Sequence, residues 1–410
     1  MRIVFLNPGG ELGGAETALI ELFAAVQAAR PSWTLHLIAA RGGPFVDRAA
    51  RHGISVQVLE FPPSLARLGE WGRRGSFAKQ VRLGIAAARA AGPVMAYAKR
   101  LRRELASFDP DIVHTNGLKM HLLGARCRPS RASVVWHLHD YPDSRPASAM
   151  LLKMHAGRCA TVVANSASVA DRARQMFPAL SVHAVHNAVD LDRFHPVGPS
   201  LDLDALAGLA PLPSGGIRVG LVGTFAKWKG HDVFLRALSQ VRADVSVRGY
   251  VIGDSIYQTD ASQYSVVALR EMATGIGLNG RIGFTGHVPD VAAAMRSLDI
   301  VVHASVEPEP FGLVIAEAMA CGRPVIVSRA GGAEEIAQAG AVFHTPGNAG
   351  ELSERISQLV GEPTLRGALS KAGRGAAEQL FSRKRLAGSL IPVYESLVNH
   401  QPPTTNHSPS

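Results

Sequence analysis

Glu309-Pro310-Phe311-Gly312-Leu313-Val314-Ile315-Ala316-Glu317 decides how this chain is read. Two carboxylates stand with seven residues between them, and the apolar run that follows ends in Ala320-Cys321-Gly322-Arg323-Pro324-Val325-Ile326-Val327. The first acid falls on a Pro/Gly loop and the second on the helix that this run predicts. A helix N-terminus presents unpaired backbone N–H groups and partial positive charge, so anions settle there. One spot then offers a carboxylate for sugar hydroxyls, amides for phosphate and a second carboxylate for a ribose diol. A bare pair of glutamates at this spacing is equally a loop acid and a solvated helix acid, because Glu is common on exposed helix faces. It is the filled-in string that carries specificity.

The elements around the stretch set the fold. Ile3 to Leu6, Leu35 to Ala39, Val56 to Leu59, Asp111 to His114, Ser133 to Trp136 and Thr161 to Ala164 read as short apolar strands separated by helical stretches, the first of them Ala15 to Ala29. After the Pro/Gly-rich segment 196–216 a second series begins, with strands at Arg218 to Val222, Val247 to Ile252, Ile282 to Phe284, Ile300 to Val302 and Val325 to Val327, and a helix at His231 to Val241. Short buried strands alternating with helices predict parallel sheets covered on both faces. The expected class is α/β, with two Rossmann-like doubly wound domains, 1–195 and 217–382, joined by the linker 196–216 and facing a cleft. Ligands are expected at the carboxyl ends of the strands. The tail 400–410 is rich in Pro, Ser and Thr and is expected to be disordered.

Length and composition suit a large enzyme. The chain has 410 residues, 47% hydrophobic and 19% charged, and a net charge of +10 with a pI near 9.9. A basic surface suits nucleic acid, anionic lipid or an anionic substrate. No zinc spacing, RNP string or basic zipper points to nucleic acid. Cys127, Cys159 and Cys321 are three in number and far apart, which fits reduced thiols rather than a disulfide framework. No apolar run approaches the ~18 residues of a membrane span. The N-terminal apolar run is too short for a signal peptide. The expected location is cytoplasmic.

Three strand-end loops carry further chemistry. Gly13-Gly14-Ala15-Glu16 follows the first strand and opens a helix, where glycines let backbone amides approach an anion. It is also readable as a plain turn. A dinucleotide fingerprint is disfavoured, because the spacing is not G-x-G-x-x-G and the second strand ends in Ala39-Ala40-Arg41 instead of an acid. Gly223-Thr224-Phe225-Ala226-Lys227-Trp228-Lys229-Gly230 joins a strand to a helix, and a fixed lysine there can neutralise a departing diphosphate. Taken alone, Lys229 reads as a solvated lysine. In Trp136-His137-Leu138-His139-Asp140 the two-residue period puts His137 and His139 on one face, with His139 past the strand end. A hydrogen-bonded structural histidine is the alternative.

Taken together, E-P-F-G-x-x-x-x-E-A-M-A-x-G-x-P-V-I, Lys229-Gly230, the Gly13-Gly14 loop and the Leu138-His139-Asp140 string resemble the retaining GT-B glycosyltransferases of glycosyltransferase family 4. Asn165-Ser166, His186-Asn187-Ala188-Val189-Asp190, Phe284-Thr285-Gly286-His287-Val288 and Gly331-Gly332-Ala333-Glu334-Glu335 resemble further strings of that family. The resemblance implies that a hexose moves from a nucleotide-diphosphate sugar to a glycan, lipid-linked or small-molecule hydroxyl with retention. Helix amides and Lys229 would serve in place of a metal, so no cofactor is expected. It implies catalytic roles for His139, Glu309 and Lys229. It implies donor contacts at Gly14, Thr224, Lys229, Val288, Glu309, Phe311, Gly312, Leu313, Val314 and Glu317. A final helix at Arg383 to Asn399 would return to the first domain. The pattern is broken at Thr224, where the family often has Arg; Lys227 or Arg329 is expected to compensate, or Thr224 to bond a phosphate oxygen. Asp202-x-Asp204 is expected to be solvated in the linker.

From Arg67 to Arg103 ten cations (Arg67, Arg73, Arg74, Lys79, Arg82, Arg89, Lys99, Arg100, Arg102, Arg103) face one acid, Glu70. Val81, Ile85 and Met95 lie among them, so an amphipathic helix on an anionic membrane surface is expected, with a solvated helical face as the alternative. Two other functional classes stay open on sequence: a non-catalytic sugar-nucleotide-binding protein and a GT-B nucleotide-sugar epimerase. The donor sugar, the base and the acceptor are not legible.

Overall fold

The computed structural model describes residues 1–66, 77–242, 246–255 and 262–399, and for 77–90 it describes the backbone. The chain divides into two compact units. The first holds Met1–His186 and the described residues from Leu386 onward; the second is Asn187–Arg385.

The first unit is a seven-stranded sheet of β1 (Arg2–Asn7), β2 (Thr34–Ala39), β3 (Ser55–Val58), β4 (Ile112–Asn116), β5 (Ser133–Leu138), β6 (Thr161–Ala164) and β7 (Ser181–Ala184), in the order β3-β2-β1-β4-β5-β6-β7. Every neighbouring pair is parallel. Alternation sorts the strand residues by face. Val4, Leu6, Val113, Val134, Trp136, Leu138 and Val162 join one core with Leu101, Leu105 and Met120 of the covering helices. Phe5 and His114 turn to the other face, where Phe23 of the helix Gly14–Ala29 and Tyr394 of the helix Arg383–Asn399 meet them. From Leu386 onward that last helix belongs to this unit, and the Tyr394 hydroxyl lies 2.8 Å from His114 Nδ1.

The second unit has six parallel strands, β8 (Ile217–Val222), β9 (Val247–Ile252), β10 (Ile282–Gly286), β11 (Ile300–His303), β12 (Val325–Ser328) and β13 (Ala341–His344), in the order β10-β9-β8-β11-β12-β13. Val301, Val325 and Val327 pack with Phe311, Ile315 and Met319 on one face, while Val302, Ile326 and Val251 pack with Phe234, Leu238 and Ile356 on the other. β7 and β13 are edge strands that the apolar-run reading missed. Each has a single sheet neighbour and carries three partly exposed residues or more, so neither reads as a continuous apolar run.

The segment 196–216 is not a free linker. It belongs to the second unit and contains the short helix Leu203–Leu206, capped by Asp202, whose side chain accepts from the Ala205 amide. Asp204 is not solvated: it is 3% exposed. Its carboxylate accepts from Tyr250 Oη at 2.5 Å, Arg218 Nη2 at 2.8 Å, the Leu212 amide at 3.0 Å and Arg248. Burial pushes its pKa up, but these four donors hold it well below the usual carboxylate range. The placement of Leu203 and Leu206 around an acid gave no sign of this, because the side-chain partners lie on β8 and β9.

The helix Phe77–Phe108 covers much of the basic stretch; Arg67, Arg73 and Arg74 lie outside the described residues, as do the side chains of Lys79, Val81, Arg82, Ile85 and Arg89. Beyond them the helix is amphipathic, with Tyr97, Leu101 and Leu105 buried and Met95, Lys99, Arg100, Arg102 and Arg103 exposed. Among the described residues no helix is long and apolar enough to cross a membrane. All three cysteines are free and buried. The tail 400–410 lies outside the described residues.

Candidate active site

β8 and β11 are neighbours in space but not in sequence, so the chain reverses direction of travel through the sheet between them. Such a switch point opens a crevice at the carboxyl ends of the strands. Two loops leave from there. The loop after β8 carries a short turn of helix, Lys227–Lys229, and the loop after β11 runs to Gly312. The Val306 amide donates to the Trp228 carbonyl at 2.8 Å. Gly230 has φ +71°, and a Cβ there would stand 2.0 Å from the Ala304 carbonyl oxygen. Only glycine lets the two backbones approach this closely. The approach carries Lys229 Nζ to 2.7 Å from Glu309 Oε2, with the ammonium also 4.0 Å from the Trp228 ring centroid.

Glu309 is 7% exposed, and its Oε2 accepts from three side chains. Besides Lys229, Ser305 Oγ donates at 3.1 Å. His303 Nε2 lies 3.2 Å from Oε2 and 3.0 Å from Ser305 Oγ, sharing its proton between them. Ser305 is held in turn by Ser328, whose hydroxyl donates to the Ser305 carbonyl at 2.6 Å. The Glu309 carbonyl accepts from the Gly332 amide at 2.8 Å, which ties the loop to the one after β12. Burial pushes the Glu309 carboxyl up; the Lys229 ammonium and the His303 ring outweigh it and hold the group at about 2. The site therefore keeps a buried, ionised carboxylate.

The helix Leu313–Ala320 begins beside this carboxylate, with Gly312 in the left-handed region (φ +85°) as its cap. Phe311 is buried against Phe381, ring centroids 5.9 Å apart. Leu313, Val314 and Glu317 are half-buried, and Glu317 lies one turn along from Leu313. Val288 is buried in the same core cluster as Phe311 and Ile315. Thr224 is half-buried in the loop after β8. Of the cations expected to make up for it, Lys227 lies 5.7 Å from the Tyr264 ring centroid, and Arg329 pairs with Glu334 at 3.6 Å. Lys229 is the lysine on Glu309.

In the first unit, His139 stands one residue past β5. Its Nε2 lies 3.1 Å from Asn116 Oδ1, its ring centroid is 4.0 Å from that of His137, and its carbonyl accepts from Asn165 Nδ2 at 3.3 Å. Burial lowers its pKa to about 4, so the ring is neutral near pH 7. His137 joins His114 at 3.1 Å. Ser166 caps the helix Ala167–Met176 by accepting from the Val169 amide. Asp190 is structural: it accepts from the Asp192 and Arg193 amides and pairs with Arg383 at 2.8 Å. Gly14 opens its helix with nothing within 4 Å of a Cβ placed there, so no close approach demands the glycine. The helix start is already served by Glu16, which accepts from the Gly13 amide at 3.2 Å and from Asn7 at 3.2 Å.

His303, Ser305 and Asn116 were not read from sequence. Polar residues at or just past the carboxyl ends of the apolar strands β11 and β4 are the signal that was present. Among the described residues no three His, Cys, Asp or Glu side chains are grouped to hold a metal ion.

This geometry matches known proteins across nearly the whole chain. The family described as glycosyl transferases group 1 matches residues 216–362, and glycosyltransferase family 4 matches residues 12–193. The chain belongs to the GT-B glycosyltransferases. It is similar to D-inositol 3-phosphate glycosyltransferase 1 of Catenulispora acidiphila, 32% identical over 250 residues, 58% of this chain and 57% of that protein. It is also similar to alpha-maltose-1-phosphate synthase of Mycobacterium tuberculosis, 27% identical over 249 residues, 58% of this chain and 63% of that protein. The match thus spans about three fifths of these relatives' length. Among solved structures, Anabaena Alr3699/HepE in complex with UDP-glucose has a TM-score of 0.76 at 25% identity, covering 97% of this chain and 100% of that one.

Proposed function

We propose that this chain moves a hexose from a nucleotide-diphosphate sugar to an acceptor hydroxyl, with retention and without a metal. The observation that carries the reading is the Lys229–Glu309 pair, placed at the switch point of the second sheet and at the start of the helix Leu313–Ala320. A diphosphate arriving there meets an ammonium and the first-turn amides, and Lys229 trades part of its bond to Glu309 for the phosphate. Glu309, ionised and fixed by Ser305 and His303, accepts from sugar hydroxyls. Glu317, one turn along, takes the ribose diol. His139, neutral near pH 7, is given the role of a hydroxyl contact on the first unit. The UDP-glucose complex of Alr3699/HepE supports a nucleotide-sugar donor and makes UDP-glucose the first to test.

The acceptor surface is proposed on the first unit, together with an anionic membrane face. Lys99, Arg100, Arg102 and Arg103 are exposed on one helix, and Met150 and Met154, each 65% exposed, on another. Flotation of the protein with phosphatidylglycerol vesicles at low salt, lost at high salt, is expected; no flotation at low salt removes the membrane reading.

The activity is tested by incubating the protein with radiolabelled UDP-, GDP- and ADP-sugars and separating free from transferred sugar. Transfer from one of them with retained anomeric configuration, and its loss in Glu309→Ala, is expected. Nucleotide-sugar binding with no turnover in the presence of a range of acceptors would return the chain to a binding role.

A further inference from the structure

β4, β5 and β6 lie side by side in the first sheet, and one polar side chain stands at the carboxyl end of each: Asn116 closes β4, His139 follows β5 and Asn165 follows β6. Asn116 and Asn165 are 2% and 3% exposed. Each uses one end of its amide on His139. Asn116 Oδ1 meets the ring at Nε2, 3.1 Å away, and Asn165 Nδ2 donates to the His139 carbonyl at 3.3 Å. The other end of each amide is buried with no partner: Nδ2 of Asn116 and Oδ1 of Asn165. Two such orphans in one row are unusual, because buried polar groups are hydrogen-bonded in all but a few cases.

The tautomer follows from the pairing. Asn116 Oδ1 accepts only, so His139 carries its proton on Nε2, and Nδ1 is left as the ring's acceptor. The ring rests on His137, which hydrogen-bonds His114, which meets the Tyr394 hydroxyl, so the histidine packed behind it is fixed by a buried chain.

Building on the transferase reading, we infer that Asn116, His139 and Asn165 form a hydroxyl-reading row for a neutral, polyhydroxylated part of a substrate. Asn116 donates from Nδ2, His139 accepts at Nδ1, and Asn165 accepts at Oδ1. Asn116 is also the positioning residue that holds His139 in the Nε2–H form. The row carries no charged side chain, so it suits vicinal hydroxyls better than phosphate or carboxylate.

The test is a long-range ¹H–¹⁵N spectrum of the full chain with ¹⁵N-labelled histidine, the His139 signals being assigned by their loss in His139→Gln. Near pH 7 the wild type is expected to show a neutral ring protonated on Nε2. Asn116→Leu is expected to release the Nδ1–H form, and Asn116→Ser, which can still accept the proton, to restore the Nε2–H form in part. An Nδ1–H or cationic His139 in the wild type, or an unchanged tautomer in Asn116→Leu, overturns the proposal. On turnover of whichever donor the wild type uses, Asn116→Leu and Asn165→Leu are each expected to lose about tenfold or more in kcat/KM. Full turnover in both overturns the row. A wild type that consumes no donor sinks the transferase reading, while the spectrum still decides the tautomer.

Discussion

Lys229 and Glu309 are 80 residues apart in sequence and 2.7 Å apart in space. They meet because β8 and β11 are neighbours in a sheet whose chain order reverses between them, and because Gly230 lets one loop press against the Ala304 carbonyl. The pair is buried, so its geometry also sets its energetics. Desolvating two ions is costly, and the interaction returns that cost only with both partners present.

Removing either partner is therefore expected to act on catalysis and on folding. Glu309→Ala should lower kcat for donor turnover by roughly 10²–10³, the range typical of a lost electrostatic contact at a reacting centre. Lys229→Met takes the ammonium away from a buried carboxylate and should destabilise the protein by about 3–5 kcal/mol. The double variant Lys229→Met/Glu309→Gln should be more stable than Lys229→Met alone. Urea unfolding of wild type, Lys229→Met, Glu309→Gln and the double variant gives the coupling; additive effects would deny that the pair acts as a unit.

The same pair predicts a pH dependence. Glu309 is held at about 2 when folded, below its ordinary 4.5, so between these values the unfolded chain binds more protons than the folded one. The stabilisation is present in full above about 4.5 and is lost as pH falls toward 2. The stability difference between wild type and Glu309→Gln, followed by urea unfolding at pH 7, 4 and 3, should shrink as the solution is acidified. A difference that stays constant or grows would contradict the assignment.

Asp204 is expected to be a larger structural determinant than its place in a Pro/Gly-rich segment suggests. Asp204→Ala strands Arg248, the Tyr250 hydroxyl and the Leu212 amide in a buried setting, and should cost about 3–5 kcal/mol in thermal or urea unfolding. Asp202→Ala removes only a cap and should cost about 1 kcal/mol. Equal effects of the two would mean that the buried network is not what fastens this segment.

Gly230→Ala places a methyl against the Ala304 carbonyl at a residue with φ +71°. Strain of about 1–3 kcal/mol is expected from the backbone alone, and the loop must shift. Because that shift separates Lys229 from Glu309, donor affinity should fall along with stability. Gly14→Ala, with open space at its Cβ, should leave stability within about 0.5 kcal/mol of wild type. Calorimetric titration with UDP-glucose and a melting curve for each variant check both halves of this prediction.

Much of the fold was legible because parallel strands buried on both faces leave uninterrupted apolar runs. All the described strands except β7 and β13 were found, as was the helix that begins at Arg383. The two missed strands lie at sheet edges, where the apolar run is broken. At the site, Glu309, Glu317 and Lys229 were marked by their strings, but the residues that fix them were not. His303 and Ser305 sit on a strand end like many others, and only the fold shows that they share one oxygen of Glu309. Sequence also did not show that Lys227 lies near the Tyr264 ring or that Arg329 pairs with Glu334. Asp204 was misread for a related reason: an acid among Leu and Ala looks solvated until strands carrying Arg218, Arg248 and Tyr250 are known to pass beside it.

Sequence by itself determined the alternation of strand and helix and the composition of the loops at strand ends, since both follow from periodicity and from local backbone chemistry. Tertiary structure decided which loops meet: Lys229 with Glu309, Asn116 with His139, and Asp204 with its arginines. Those pairings depend on strand order, which no period in the chain encodes and which is set only when the sheet closes its cores on both faces.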